Sequence, residues 1–494
     1  MKKFKEPTAS RYQVSFLPPT LDDAVPRDSV VRILSDTIDK MDCSVLEAAV
    51  TGGGAPAYHP QMLFKLVVFA YLEGIRSSRR IAERCTRDIH YMFLTEMAYP
   101  DFRTICRFRR RNEAAIKVMF RNTVLLCAES GLVLLEQVAV DGTKIEANVS
   151  SKETYSKKRV EEAIAYTDAC IEAILQDAEA QDAKSERDEP KQLSLSLPLP
   201  VQKKEAIIAK LKRRKERALA AKKRMSEGAG NASGATDPQS RVMKMQHGGN
   251  RPAYNAQAAV DGANQIIVAA EVTQDTTDGQ QMKAMVAQVI ENTGCRPGCV
   301  TADCGYLTPE TLLSLDAADV TAVIAQRDDQ KIKAEYVYDA DADVMRLPAR
   351  PASTDFPVER AELVLGFHGI RQRDGKKFRV YRNRTTGKEL WVSLMPEKEM
   401  PLRNELLARM ASEEGKATYS LRQQTVEPVF GHMKSVLNLR RFLLRGLPGA
   451  SIEYHLACVA HNLKKCIRAE ADCLRKRLAV GGQAAASPPR MAMI

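Results

Sequence analysis

The chain has 494 residues, and its 74 Lys and Arg against 62 Asp and Glu give a formal net charge of +12 at pH 7. This length exceeds what one hydrophobic core usually serves, and the basic excess favours a polyanionic partner over an acidic small molecule. The longest apolar run, residues 62–72, is too short to cross a bilayer, so no membrane association is expected. Eleven irregularly spaced cysteines without a signal peptide predict free thiols in a reducing, cytoplasmic compartment.

The N-terminal part of the chain is predicted to be helical. Residues 1–58 contain one amphipathic helix, DSVVRILSDTIDK, and end in the flexible sequence TGGGAPAYHP. Residues 59–131 follow as a helical domain with three helices, which begin at Pro60, after Ser77, and after the N-cap residue Asp101.

The third of these helices carries a row of arginines. Arg103, Arg107 and Arg110 are spaced i, i+4 and i+7 and share one face, while Ile105 and Phe108 look inward. We predict that the arginine face binds DNA and that these helices form a helical DNA-binding domain. A helix-turn-helix variant is one arrangement that such a domain can have. A helical bundle whose arginine face is merely exposed to solvent is the open alternative.

A predicted strand at 136–145 carries Asp141, and after it the pattern changes. Between residue 152 and about residue 225 apolar residues recur in steps of four and three, and prolines divide the segment into two helices. We therefore predict a helical hairpin inserted at 151–240. Its basic second arm contacts the DNA backbone, forms a dimer contact or is solvated, and the sequence leaves these alternatives open.

The following elements have the order of an RNase H-like domain. AYNAQAAVD and QIIVAAEVT predict a hairpin of strands, followed by a helix, a strand that ends at Asp303, a helix and a last strand. With the strand of Asp141 they make a mixed five-stranded sheet, so the predicted fold class is α/β. The catalytic domain is predicted at 132–475, with a β-leaning second insertion at 328–395 and a disordered tail at 476–494.

Three acidic residues are candidates for catalysis. Asp141 and Asp303 each end a short apolar run, and Glu427 lies on an amphipathic helix. Each aspartate alone is most simply a turn or cap residue. Three carboxylates brought together, however, can hold two Mg²⁺ ions about 4 Å apart for phosphoryl transfer.

Basic residues accompany Glu427 on its helix. Lys434 lies two turns further along, close to one line with Glu427, and Arg422 precedes it. Both cations, and the two arginines at 440–441, would lie where a DNA backbone enters. Tyr419 contacts a phosphate or packs against the protein.

Other chemistries find little support in the sequence. The seven histidines form no nucleophile pair and no metal-ligand spacing. Cys295, Cys299 and Cys304 lack the complementary pair that a zinc site needs. Trp391, the single tryptophan, is expected to pack in a core rather than to stack on a base.

The chain resembles bacterial insertion-sequence transposases of the DDE type, in the branch with a Tyr-x2-Arg-xn-Glu-x6-Lys signature. The resemblance rests on DFRTICRFRRRN, VAVDGTKIEANVS, YNAQAAVD, TADCGYLTPE and RQQTVEPVFGHMK, in this order. It implies that Asp141, Asp303 and Glu427 form a metal-binding catalytic triad in an RNase H-like, retroviral-integrase-like core. The implied cofactor is Mg²⁺, with Mn²⁺ as the alternative ion.

The resemblance also implies partners and a reaction. It implies an enzyme that binds the terminal inverted repeats of a mobile element, cuts the double-stranded DNA and joins it to target DNA, with Tyr419, Arg422 and Lys434 assisting. A homodimer or larger synaptic complex at the bacterial nucleoid is implied too. Four residues separate Arg422 from Glu427 where the common signature has three. The alternatives are a catalytically inactive, transposase-derived DNA-binding protein and a metal-dependent nuclease without strand transfer.

Overall fold

The computed structural model describes residues 20–49, 57–149, 154–185, 201–226, 232–234, 236–246, 248–350, 359–373 and 375–484. Its helices are, in chain order, α1 (Leu21–Ala24), α2 (Val30–Asp39), α3 (Ser44–Ala48), α4 (Pro60–Leu72), α5 (Ser78–Cys85), α6 (Ile89–Thr95), α7 (Phe102–Arg111), α8 (Glu113–Glu129), α9 (Lys157–Ser185), α10 (Val201–Ser226), α11 (Met282–Thr293), α12 (Pro309–Ala317), α13 (Asp328–Ala334), α14 (Pro396–Ala411), α15 (Glu413–Ser435) and α16 (Gly446–Ala484). Its strands are β1 (Gln137–Glu146), β2 (Thr154–Ser156), β3 (Ala232–Gly234), β4 (Arg241–Lys244), β5 (Asn250–Asp261), β6 (Ile267–Thr273), β7 (Cys299–Ala302), β8 (Thr321–Ile324), β9 (Val337–Asp339), β10 (Val344–Leu347), β11 (Leu363–Arg373), β12 (Lys376–Arg382) and β13 (Glu389–Val392).

The central sheet has six strands, in the order β4–β5–β1–β7–β8, and β6 also pairs with β5. The strand β5 runs antiparallel to β1, β4 and β6, whereas β1, β7 and β8 are parallel. Strands β6, β5, β1, β7 and β8 form the predicted RNase H-like sheet, which confirms the α/β fold class. The sixth strand, β4, was not predicted because its four residues pair with an extension of β5 and carry no alternating pattern of their own.

The N-terminal helices share one hydrophobic core with this sheet. Helices α2, α4 and α8 pack against α16, which in turn covers β6, and their buried apolar side chains form a single continuous cluster. A buried ion pair crosses the same contact, since Arg76 Nη1 lies 2.8 Å from Glu453 Oε2. Arg109 donates to the carbonyl of Arg76 at 2.8 Å and is itself buried. The N-terminal helices are therefore packed onto the part of the chain that contains the central sheet.

Two N-terminal helices that were predicted as continuous are each divided. Residues 78–95 form α5 and α6, because the Asp88 carboxylate accepts from the backbone of His90 and starts a new helix. Asn112 divides the helix that begins after Asp101, and its side-chain Nδ2 donates to the carbonyl of Phe108 at 2.7 Å. The amide thereby takes the place of the backbone donor that a continuous helix would have supplied.

Both insertions have the predicted character. Helices α9 and α10 pack against each other, with Arg214 over the ring of Tyr166 at 5.5 Å. The second insertion contains the five-stranded antiparallel sheet β9–β13 with its own small core. The helix α13 at its start was not predicted. Trp391 lies on β13 beside Phe378, with ring centroids 6.2 Å apart.

The C-terminal helices have different limits from those predicted. The helix of Glu427 ends at Ser435, and Asn438 has a positive φ of 58° that breaks the continuation. Arg441, which is expected beside DNA, is exposed and pairs with Glu146, with 3.0 Å between its Nε and Oε2. The last helix extends through Ala484 into the range predicted as a disordered tail, of which residues 485–494 lie outside the described residues.

Two further expectations concern the whole chain. Ten cysteines among the described residues are free thiols, as expected. No helix in the described part of the chain is long and apolar enough to cross a membrane.

Candidate active site

Asp141 lies in the middle of the central sheet. It occupies β1 between β5 and β7, and its side chain is 26% exposed. Its Oδ1 accepts from the backbone of Gly142 at 2.8 Å, and its Oδ2 lies 3.2 Å from Nη1 of Arg422. This carboxylate is therefore half-buried and faces one guanidinium.

Asp303 reaches the same edge of the sheet from the neighbouring parallel strand. The register pairs Ala139 of β1 with Thr301 of β7, and each aspartate follows its strand partner by two residues. Asp303 opens a 3₁₀ turn, Cys304–Tyr306, by accepting from the backbone of Gly305 at 2.8 Å. Because the parallel strands keep their register, the two aspartates lie at the same edge of the sheet.

The pKa of Asp141 is shifted mainly by burial and less by the neighbouring acids. Burial raises the pKa of the Asp141 carboxyl above its usual value, and the charges of Asp303 and Asp278 raise it further. Arg422 and the hydrogen bond from Gly142 lower this pKa but do not cancel the increase. The pKa of buried Tyr306 is raised by burial and by the same three aspartates. Asp141, Asp303 and Asp278 thus form a local excess of negative charge that a bound cation would relieve.

The helix α15 brings its basic residues to Asp141. Ser412 caps its N-terminus, Gln137 donates to the carbonyl of Thr418 at 2.9 Å, and these contacts hold the helix against β1. Burial lowers the pKa of the Arg422 guanidinium, but Asp141 and Tyr419 raise it by more. The guanidinium also lies 5.7 Å from the centroid of the Tyr419 ring. Arg422 is a direct neighbour of the aspartates, and Tyr419 packs on it.

Glu427 lies on the same helix but points away from Arg422. Five residues at 3.6 per turn separate the two side chains by about 140° around the helix. Glu427 is exposed, and its Oε1 accepts from Gln423 Nε2 at 2.9 Å. Within the described residues, no three His, Cys, Asp or Glu side chains are grouped closely enough to hold a metal ion. The structure brings Asp141 and Asp303 together, and the role of Glu427 as their third partner stays a prediction.

Lys434 lies two turns beyond Glu427 and within electrostatic range of the site. Burial and then Arg440 lower the pKa of its ammonium group, whereas Asp141 opposes them. Its Nζ lies 3.4 Å from Oε1 of Gln246. Arg422 and Lys434 therefore bracket Glu427 along α15, and both interact with Asp141.

The arginine face of the N-terminal helices has the predicted exposure. Arg103, Arg107 and Arg110 on α7 are exposed, whereas Ile105 and Phe108 are buried. Arg79 of α5 lies on the same surface, 5.2 Å from the ring of Phe102. The neighbouring Arg109 points inward, which the spacing of the arginines alone did not reveal.

The sequence did not identify Asp278 as part of the site. It lies between β6 and α11, and its Oδ1 accepts from Lys144, Asn255 and Gln257. The available signal was the pair of amides at alternating positions in the buried part of β5, because buried amides need polar partners.

The donor set of this site suits a hard divalent cation. Asp141 and Asp303 supply carboxylate oxygens, which are the ligands that Mg²⁺ prefers. Arg422 brings one positive charge, 3.2 Å from Asp141, against these two acids. These two carboxylates therefore suit a hard divalent cation.

Two parts of the chain match known protein families. Residues 19–111 match the family described as "Transposase domain (DUF772)", and residues 223–463 match the family described as "Transposase DDE domain". The two matches together span about two thirds of the chain, and the second includes Asp303, Glu427 and the helix that carries Arg422. No curated protein matches the chain.

Proposed function

Because the chain belongs to the insertion-sequence transposases of the DDE type, we propose that it binds the ends of its element, cleaves the DNA there and transfers the cut strand to target DNA. The observation that carries this proposal is the meeting of Asp141 and Asp303 at one edge of the sheet, beside Arg422. Carboxylates next to a cation are the groups that divalent-metal phosphoryl transfer requires.

In this proposal Asp141, Asp303 and Glu427 hold Mg²⁺, with Mn²⁺ as a substitute. Two such ions supply activation of the attacking oxygen and stabilisation of the leaving oxygen. Glu427 is supported as the third ligand by its place on α15, between Arg422 and Lys434, which both interact with Asp141. Arg422 orients the Asp141 carboxylate, Tyr419 supports the guanidinium, and Lys434 contacts a DNA phosphate.

The same proposal assigns partners. The arginine face of α7 binds the terminal inverted repeats, while target DNA enters along α15. Because two ends must be joined in one event, a homodimer or larger synaptic complex acts at the nucleoid in the bacterial cytoplasm. The net charge of +12 favours a polyanionic partner such as DNA.

The proposed function is tested by cleavage and joining of a labelled duplex that carries the gene's own flanking sequences. Wild type should give joined product with Mg²⁺ and none with EDTA, and Asp303→Asn should give none with either. Cleavage without joining would favour the nuclease, and binding without cleavage would favour the inactive DNA-binding protein.

Glu427 allows a separate test of the third ligand. Glu427→Gln should abolish cleavage yet leave end binding at the wild-type level, because the amide cannot replace a carboxylate as an anionic ligand. Gln423→Ala is the matched control, since it removes the partner of Glu427 and keeps the carboxylate. Wild-type cleavage by Glu427→Gln would remove this residue from the metal site.

Arg107 and Arg110 allow a test of the DNA-binding face. The double variant Arg107→Ala/Arg110→Ala should weaken end binding and lower the slope of log K against log salt by about 2, because each lost phosphate contact removes about 0.9. The matched variant Arg107→Lys/Arg110→Lys keeps both charges and should retain most of the slope. An unchanged slope in the alanine variant would make this helix face a solvent surface only.

A further inference from the structure

Asp278 holds a buried polar cluster together beneath the candidate active site. Its Oδ1 lies 3.1 Å from Lys144 Nζ, 2.6 Å from Asn255 Nδ2 and 2.7 Å from Gln257 Nε2. Asn255 and Gln257 are fully buried, and Gln257 also donates to the Asn255 side chain at 3.0 Å. One carboxylate oxygen therefore connects β1, through Lys144, with two positions of β5.

This cluster lies directly against the backbone that follows Asp141. A Cβ atom at Gly142 would lie 2.8 Å from Oδ1 of Asp278 and 2.3 Å from Nε2 of Gln257. No side chain larger than hydrogen fits at Gly142 unless the cluster shifts. The position of Asp141 is thus set by groups on the opposite face of its own strand.

The same cluster also reaches the turn of Asp303. The hydroxyl of Tyr306, the last residue of that turn, donates to Oε1 of Gln257 and is fully buried. The chain next to Asp278 rests on this turn as well, because a Cβ atom at Gly279 would lie 3.2 Å from the carbonyl oxygen of Gly305. Asp278 is therefore connected to Asp141 through Gly142 and Lys144, and to Asp303 through Gln257 and Tyr306.

We propose that Asp278 is a positioning residue of the active site, which fixes the strand of Asp141 and the turn of Asp303 relative to each other so that both carboxylates can bind the same divalent ions. The proposal rests on the proposed function, since it gives those two aspartates their metal-binding role. Asp278 acts through its three donors and does not itself need to touch metal or DNA. Buried amides and an ammonium group that share one acceptor form such a rigid connection, because each would lose a partner if the cluster opened.

The test compares Asp278→Ala and Asp278→Asn with wild type over a range of Mg²⁺ concentrations. Asp278→Ala should raise the Mg²⁺ concentration for half-maximal cleavage by about 10- to 100-fold, the loss typical when a group that orients metal ligands is removed. Asp278→Asn keeps a carbonyl oxygen for Asn255 and Gln257 and should recover part of this loss. Binding to the end duplex in EDTA should stay at the wild-type value in both variants.

The control is Asp319→Asn, which changes an exposed aspartate paired with Arg296 at 3.0 Å, away from the cluster. Failure of wild type to cleave with Mg²⁺ would overturn the proposed function itself. If wild type cleaves and both Asp278 variants have the Mg²⁺ dependence of Asp319→Asn, the positioning role of Asp278 is wrong. An equal loss of end binding and of thermal stability, with unchanged Mg²⁺ dependence, would also overturn it, because Asp278 would then support only the fold.

Discussion

Asp141→Asn should abolish DNA cleavage while end binding persists. Asp141 is the acid at the centre of the sheet. Its carboxylate lies 3.2 Å from Arg422, and the negative charge of Asp303 acts on it as well. Removing even a group that only orients a metal ligand costs 10- to 100-fold, so loss of the ligand itself should exceed about 10²-fold. The asparagine keeps the shape of the side chain, so the fold should be retained and the loss of cleavage should come from the lost charge.

The measurement is single-turnover cleavage of an end duplex at saturating Mg²⁺, with the binding affinity determined separately in EDTA. Asp319→Asn is again the matched control, because it changes an exposed aspartate on another loop. A variant at position 141 that cleaves within a few-fold of the control would exclude Asp141 from metal binding. In that case the two aspartates of the sheet would need a different explanation.

Glu453→Ala should lower the free energy of unfolding by about 3–5 kcal/mol, the cost typical of breaking a buried ion pair. Glu453 is fully buried on α16, and its carboxylate accepts from Arg76 at 2.8 Å and from the backbone of Leu443 and Leu444. Without it, the buried guanidinium of Arg76 keeps its charge but loses its anionic partner, and only its bonds to the carbonyls of Asn438 and Arg441 remain. The loss would be a large part of the total stability of most proteins.

Urea denaturation of wild type and variant, followed by circular dichroism, gives this difference in free energy. Glu83→Ala is the control, because it breaks an exposed pair with Arg87 that is expected to contribute about 0–1 kcal/mol. If the alanine variant does not fold, Glu453→Gln retains the volume and hydrogen-bonding capacity and allows the comparison. Equal losses of unfolding free energy in the Glu453 and Glu83 variants would mean that other groups compensate the buried charge of Arg76.

The order of strands and the place of Asp141 and Asp303 could be predicted from the sequence. Both acids follow short apolar runs, and parallel neighbouring strands bring the ends of such runs to one edge. The direction in which the Glu427 side chain points from α15 could not be predicted so well. Its apolar neighbours fix which side of α15 is buried, but Arg422 occupies the position that faces Asp141.

Other features depended on contacts between distant parts of the chain. The division at Asn112 follows from one side-chain bond to Phe108, which competes with a continuous helix. Arg109 resembles its exposed neighbours in sequence, and only its contacts with Arg76 and Ser78 make it a buried residue. Asp278 belongs to no recognisable motif, and its importance arises from donors more than 20 residues away, such as Asn255.

The common core of the N-terminal helices and α16 limits how such proteins can be recombined. A chimera that takes its first 131 residues from a relative would have to match the packing between α8 and α16, and also the pairing of Arg76 with Glu453. Neither surface includes the exposed arginines of α7, to which we assign DNA binding in the proposed function. Under the proposed function, the helices that would recognise element ends could not be exchanged as a separate module. Exchange of exposed α7 side chains would then be the way to alter end preference without loss of folding.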